Sequence, residues 1–154
     1  CEEAGLDVIP LPMEIREELK SKGIPTWDWI GNPADSSITG DVNFSPVDLL
    51  LMMAKNENFD LLITSVGAPW RGGSQPPIPV DTFLEPYKKL AQVKPLLALV
   101  ADRSLGIDDW DELGWKMSCE VRTKLIAANI PFYPTIGRAA RAANKLIDYY
   151  LGRK

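Results

Sequence analysis

The chain has 154 residues, enough for one domain with a sizeable core, and its 45% apolar and 25% charged residues are typical of a globular protein. A formal net charge of −4, spread without blocks of like charge, gives no reason to expect nucleic acid or an anionic membrane surface as a partner. Because the sequence contains no histidine, this chain cannot supply a histidine-activated nucleophile, an imidazole metal ligand or a phosphohistidine.

Two cysteines, Cys1 and Cys119, stand too far apart in the sequence for a CxxC pair or another metal-ligand spacing. Reduced thiols of this kind are typical of the cytosol, where disulfides are rare. No apolar run reaches the roughly 20 residues that a membrane helix needs, and no signal-peptide pattern opens the sequence. The sequence therefore predicts a cytoplasmic protein with no membrane partner.

The first segment combines a helix end with an apolar stretch. The letters CEEAG predict the last turn of a helix that stops at Gly5, and GLDVIPL predicts a strand from Leu6 to Leu11. Charged residues of both signs before a glycine predict a helix from about Met13 to Lys22. Since a domain seldom begins in the last turn of a helix, we expect a fragment of a longer protein that lacks its first strand–helix unit.

The later segments alternate between helix and strand patterns. Ser45, Pro46 and Asp48 give three agreeing signals for the start of a helix. Helix patterns also lie between and after the apolar runs. Three short apolar runs predict buried strands, at 60–66, 94–102 and 131–136.

This alternation is typical of a parallel sheet with helices on both faces. The sequence therefore predicts one α/β domain over residues 1–154, with a three-layer flavodoxin-like arrangement. In such sheets ligands bind at the carboxyl ends of the strands, so the loops at that edge are the candidate sites.

The loop WIGNPADSSITGD is small, polar and tight. Pro33 fixes its own backbone and biases Asn32 toward an extended conformation. Asp35, Ser36 and Ser37 can present hydroxyl and backbone N–H groups around one point, beside the N-terminus of the next predicted helix. Because such groups bind anions, the loop is a candidate phosphate or carboxylate pocket. The alternative is a turn whose side chains satisfy only its own backbone.

A second candidate is the loop GAPWRGGSQPPIP, which follows the first of the later strands. Gly67 allows close backbone approach, and Arg71 can hold a phosphate or carboxylate through two hydrogen bonds. The helix that begins after Pro79 points its positive end to the same edge. The alternative is a flexible surface loop, although structureless connections of this length are uncommon inside a compact domain.

Other kinds of site have less support from the residues. The acidic cluster at 108–112 could bind a metal, but carboxylates are common in the first turn of a helix, so we expect no metal site. The strand ends lack the acidic pair and the lysine of a receiver domain. The chain also lacks the phosphate loop of a flavin carrier and the GxSxG turn of a hydrolase.

Four segments resemble, in the same order, segments of the NDP-forming acyl-CoA synthetases, the relatives of succinyl-CoA synthetase and ADP-forming acetate–CoA ligase. GNPADSSITGD resembles the Asn-Pro-x-Asp loop of that family, and LIAANIPFYPTIGRAARAANKLIDYY is similar to its closing segment. FDLLITSVG and KPLLALVAD fit the two strands between them. The resemblance covers nearly the whole chain and concerns one domain, the flavodoxin-like ligase domain without the phosphohistidine.

The resemblance implies a complete enzyme that converts an acid, CoA and ATP to acyl-CoA, ADP and phosphate through a phosphohistidine on another domain. CoA, ATP or ADP and Mg²⁺ belong to that full-length enzyme, and this domain alone is expected to bind none of them. The implied partners are the phosphohistidine and CoA-binding domains and an ATP-grasp domain or subunit, and a homo-oligomer is compatible with this. Asn32, Pro33 and Asp35 match the family loop near the phosphohistidine and acid pocket.

We therefore expect a ligase domain with no catalytic residue of its own, which helps to form the phosphate and acid pocket and docks against other domains. The isolated chain is not expected to be active. The alternative is a non-catalytic assembly or binding module derived from the same family. The segment SSITGDVNFSP is longer and more polar than the family's usual loop, which leaves both hypotheses open.

Overall fold

A computed structural model of the protein describes residues 1–24, 31–34, 44–67, 78–101 and 109–152. Within these residues the chain forms an α/β fold with five α-helices and a small parallel sheet. The helices are α1 Met13–Ser21, α2 Pro46–Lys55, α3 Val80–Val93, α4 Asp109–Ala127 and α5 Ile136–Leu151. The strands are β1 Leu62–Ser65, β2 Leu96–Leu99 and β3 Phe132–Tyr133.

The three strands lie in the order β1-β2-β3, and both neighbouring pairs are parallel. Leu62 pairs with Leu96, and Ala98 pairs with Phe132. Parallel strands need a crossover connection, which α3 supplies between β1 and β2 and α4 supplies between β2 and β3. The predicted α/β class with a parallel sheet is confirmed, and β1 and β3 are the outer strands of the described sheet.

Two hydrophobic clusters lie on opposite faces of the sheet, because successive strand residues point to opposite sides. Leu62 and Ala98 belong to the larger cluster, which also contains buried side chains from α1, α2, α3 and α4. Leu97 lies in the smaller cluster and Ile63 packs against it, and Ala139 and Ala143 of this cluster bring α5 close to the sheet. Helices therefore cover both faces.

Local signals account for where the helices begin. The predicted start of α2 is confirmed, since Ser45 caps this helix and Pro46 is its first residue. α5 begins in the same way, with Oγ1 of Thr135 accepting a hydrogen bond from the Arg138 N–H at 3.4 Å. α1 spans Met13–Ser21, within one residue of its predicted range.

The segment Leu6–Leu11 differs from the prediction, since it forms no strand and pairs with no described part of the sheet. Of its apolar residues, Leu11 is buried and Leu6, Val8 and Ile9 are half-buried. Leu11 belongs to the larger cluster, and Leu6 packs against the smaller one. The apolar pattern thus predicted the burial but not the absence of a hydrogen-bonded neighbour. The predicted helix end before it is a 3₁₀ turn that stops at Gly5, whose φ of 86° is left-handed.

Candidate functional site

The carboxyl ends of β1, β2 and β3 define one edge of the sheet, which we call the carboxyl edge. Among the described residues, Gly67, Ala101 and Thr135 lie just beyond the three strands. Since a helix follows each strand, the N-termini of α3, α4 and α5 return to this edge. Amide groups at helix N-termini attract anions, so the carboxyl edge is the natural place for a phosphate or carboxylate pocket.

The N-terminus of α2 was one of two helix starts predicted to face an anion, and it is closed by its own side chains. Oγ of Ser45 accepts from the Asp48 N–H at 3.3 Å. Oδ2 of Asp48 accepts from the Ser45 N–H at 2.7 Å and from the Ser45 hydroxyl at 2.8 Å. This capping box satisfies free N–H groups and places a negative charge where an anion would bind. α2 is therefore a poor anion site.

The N-terminus of α3, the other predicted helix start, is open by comparison. Pro79 is its N-cap, and no side chain of a described residue caps it. The first hydrogen bond into this helix is donated by the Phe83 N–H to the Pro79 carbonyl at 3.0 Å. The N–H groups of Val80, Asp81 and Thr82 precede that bond, so they have no helical acceptor. α3 thus offers three donors at the carboxyl edge.

The carboxylate of Asp81, the acidic residue in the first turn of α3, is paired with two lysines. Nζ of Lys124 lies 2.7 Å from Oδ2 of Asp81, and Nζ of Lys88 lies 3.8 Å from Oδ1. The hydrogen bond between Lys124 and Asp81 lowers the pKa of the carboxyl and raises the pKa of the lysine. The pairs are exposed to water and add little stability, but they offset the negative charge that would repel an anion from α3.

Arg122 of α4 lies over the carboxyl end of β2. Its Nη2 donates to the Ala101 carbonyl at 3.1 Å and to the Val100 carbonyl at 3.5 Å. Its guanidinium carbon lies 5.8 Å from the ring centroid of Phe132, which is a cation–π contact. These contacts place a positive charge at the carboxyl edge. Sequence reasoning missed this residue, because nothing in the α4 pattern marks which of its cations reaches the strand ends.

Asn32 and Pro33 are the described residues of the first predicted loop site. Nδ2 of Asn32 donates to the Ile9 carbonyl at 3.0 Å, and the peptide bond between Asn32 and Pro33 is cis. Asn32 also lines a cavity beside Ile63, in the first half of β1. Gly67 lies four residues further on, which is roughly 13 Å along an extended strand. The described residues of the two predicted loops therefore do not share this cavity.

Four predicted site residues lie outside the described residues, and their assignment stays a prediction: Asp35, Ser36, Ser37 and Arg71. Gly67 is described, and its φ is not left-handed. A Cβ added to Gly67 would meet no described atom within 4 Å. The backbone conformation therefore does not require glycine at this position.

Metal-binding geometry is not found in the described part of the chain, where no three His, Cys, Asp or Glu side chains are grouped to hold an ion. The side chains of the acidic cluster at 108–112 lie outside that part. None of the described helices combines the length and the apolar character needed to cross a membrane. Comparison of the chain with protein-family models, curated proteins and solved structures finds no match.

Proposed function

We propose that this chain is the ligase domain of an ADP-forming acyl-CoA synthetase, the flavodoxin-like domain that lacks the phosphohistidine. The described elements agree with the segments that resemble the family. FDLLITSVG contains β1, KPLLALVAD contains β2, and the closing segment contains β3 and all but the last residue of α5. The parallel order β1-β2-β3 with helices on both faces supports a three-layer flavodoxin-like arrangement.

The observation that carries the proposal is the N-terminus of α3 at the carboxyl edge, which no described side chain caps. Its first three N–H groups have no helical acceptor, and together with the positive charge of Arg122 they suit a phosphoryl or carboxylate oxygen. Such groups position a ligand and stabilise its charge without acting as a nucleophile. That role fits a domain whose reacting histidine belongs to another domain. Asp35 is proposed to contribute through the loop that resembles the family's Asn-Pro-x-Asp loop. Asn32, which lies beside the first half of β1, is proposed to hold the start of that loop through its hydrogen bond to the Ile9 carbonyl.

Titration of the ¹⁵N-labelled chain with inorganic phosphate tests this assignment residue by residue. We expect saturable shifts of the amide signals of Val80, Asp81 and Thr82, because these N–H groups have no acceptor within the helix. The amides of Ser45 and Asp48 serve as the internal control, since the capping box already gives both N–H groups an acceptor. Sodium chloride at equal ionic strength controls for screening of the lysine–aspartate pairs. Shifts that appear equally at both helices, or at neither, would overturn the proposal.

The second candidate function, a binding or assembly module, is favoured by an uncovered apolar surface at the end of α5. Leu146, Tyr150 and Leu151 are 58%, 62% and 62% exposed. A helix of 16 residues is about 24 Å long, whereas a strand of four residues spans about 13 Å. The last turns of α5 are therefore long enough to extend past the sheet. Exposed apolar patches of this kind mark contact surfaces.

The two functions give different results with the polypeptide that carries the histidine and the ATP-grasp domain. If the chain binds no phosphate but binds that polypeptide, and Tyr150→Ser weakens this association, the module hypothesis is supported. If phosphate shifts the α3 amides and Tyr150→Ser leaves those shifts unchanged, the ligase-domain hypothesis is supported. Because Tyr150 is exposed, its replacement is expected to leave the fold intact.

A further inference from the structure

We draw no further inference here: the strongest candidate, the apolar cavity of about 540 Å³ between the last turns of α5 and the amino ends of the three strands, lined by Leu97, Tyr133, Leu146 and Tyr150 among others, carries no proposal because nothing in the described part of the chain shows what covers it.

Discussion

Replacing Ser45 with alanine tests the capping box that closes α2. The change removes the acceptor of the Asp48 N–H at 3.3 Å and the hydroxyl that donates to the Asp48 carboxylate at 2.8 Å. The bond from the Ser45 N–H to that carboxylate survives, because it comes from the backbone. Loss of a serine cap costs about 1 kcal/mol, so with an m-value of about 2 kcal/mol/M the urea midpoint should fall by about 0.5 M.

Urea unfolding followed by tryptophan fluorescence measures this shift. Ser21→Ala is the matched control, since the Ser21 hydroxyl donates to the Glu18 carbonyl at 2.7 Å at the exposed end of α1 and caps no N-terminus. Its free energy of unfolding should stay within about 0.5 kcal/mol of the unmodified protein. Equal midpoints for Ser45→Ala and the unmodified protein would refute the capping box. They would also remove the reason for preferring α3 to α2 as the anion site.

Three further predictions concern stability. Leu84 of α3 is fully buried, so Leu84→Ala should lower the free energy of unfolding by about 2–5 kcal/mol in the same urea assay, and a loss below about 1 kcal/mol would contradict its place in the core. Gly5 has a left-handed φ, so Gly5→Ala should lower the free energy of unfolding by at least about 1 kcal/mol. Gly67→Ala should leave this free energy unchanged, and a larger loss at Gly67 than at Gly5 would be inconsistent with the described backbone. The hydrogen bond with Lys124 lowers the pKa of Asp81 in the folded protein. The stability that this carboxylate contributes is therefore complete above its ordinary pKa of 3.8, and it is lost as the pH falls through the lower folded pKa. The free energy of unfolding of Asp81→Asn should therefore fall less over that pH range than that of the unmodified protein. Parallel pH profiles of the two free energies would argue against the pairing of Asp81 with lysine.

Much of the fold was predictable from the sequence, because the signals involved act over a few residues. Ser45 and Pro46 predicted the start of α2, and short apolar runs predicted all three strands. The strand predicted at Leu6–Leu11 was wrong for a non-local reason. Whether the segment is buried depends on its own apolar pattern. Whether it forms a strand depends on a second strand beside it, with which its backbone can make hydrogen bonds.

The candidate site was less predictable, because it depends on how distant segments pack. The turn residues pointed to Asn32, but not to its acceptor, the Ile9 carbonyl, which lies 23 residues earlier. Arg122 reaches carbonyls 21 and 22 residues earlier, and only the packing of α4 on the sheet brings it there. The preference for α3 over α2 also needed the geometry, since both helix starts carry an aspartate.

Turnover by the assembled enzyme tests the proposed function most directly. The chain is combined with the polypeptide that carries the histidine and the ATP-grasp domain, and ADP release is measured with a carboxylic acid, CoA and MgATP. We predict ADP release that requires this chain and that falls about 100-fold in Asp35→Ala, because a misplaced phosphoryl group reacts slowly. Asp148→Ala, an exposed change on α5, should leave the rate unchanged. ADP release that does not require the chain, or that is equal for Asp35→Ala and the unmodified protein, would contradict the assignment.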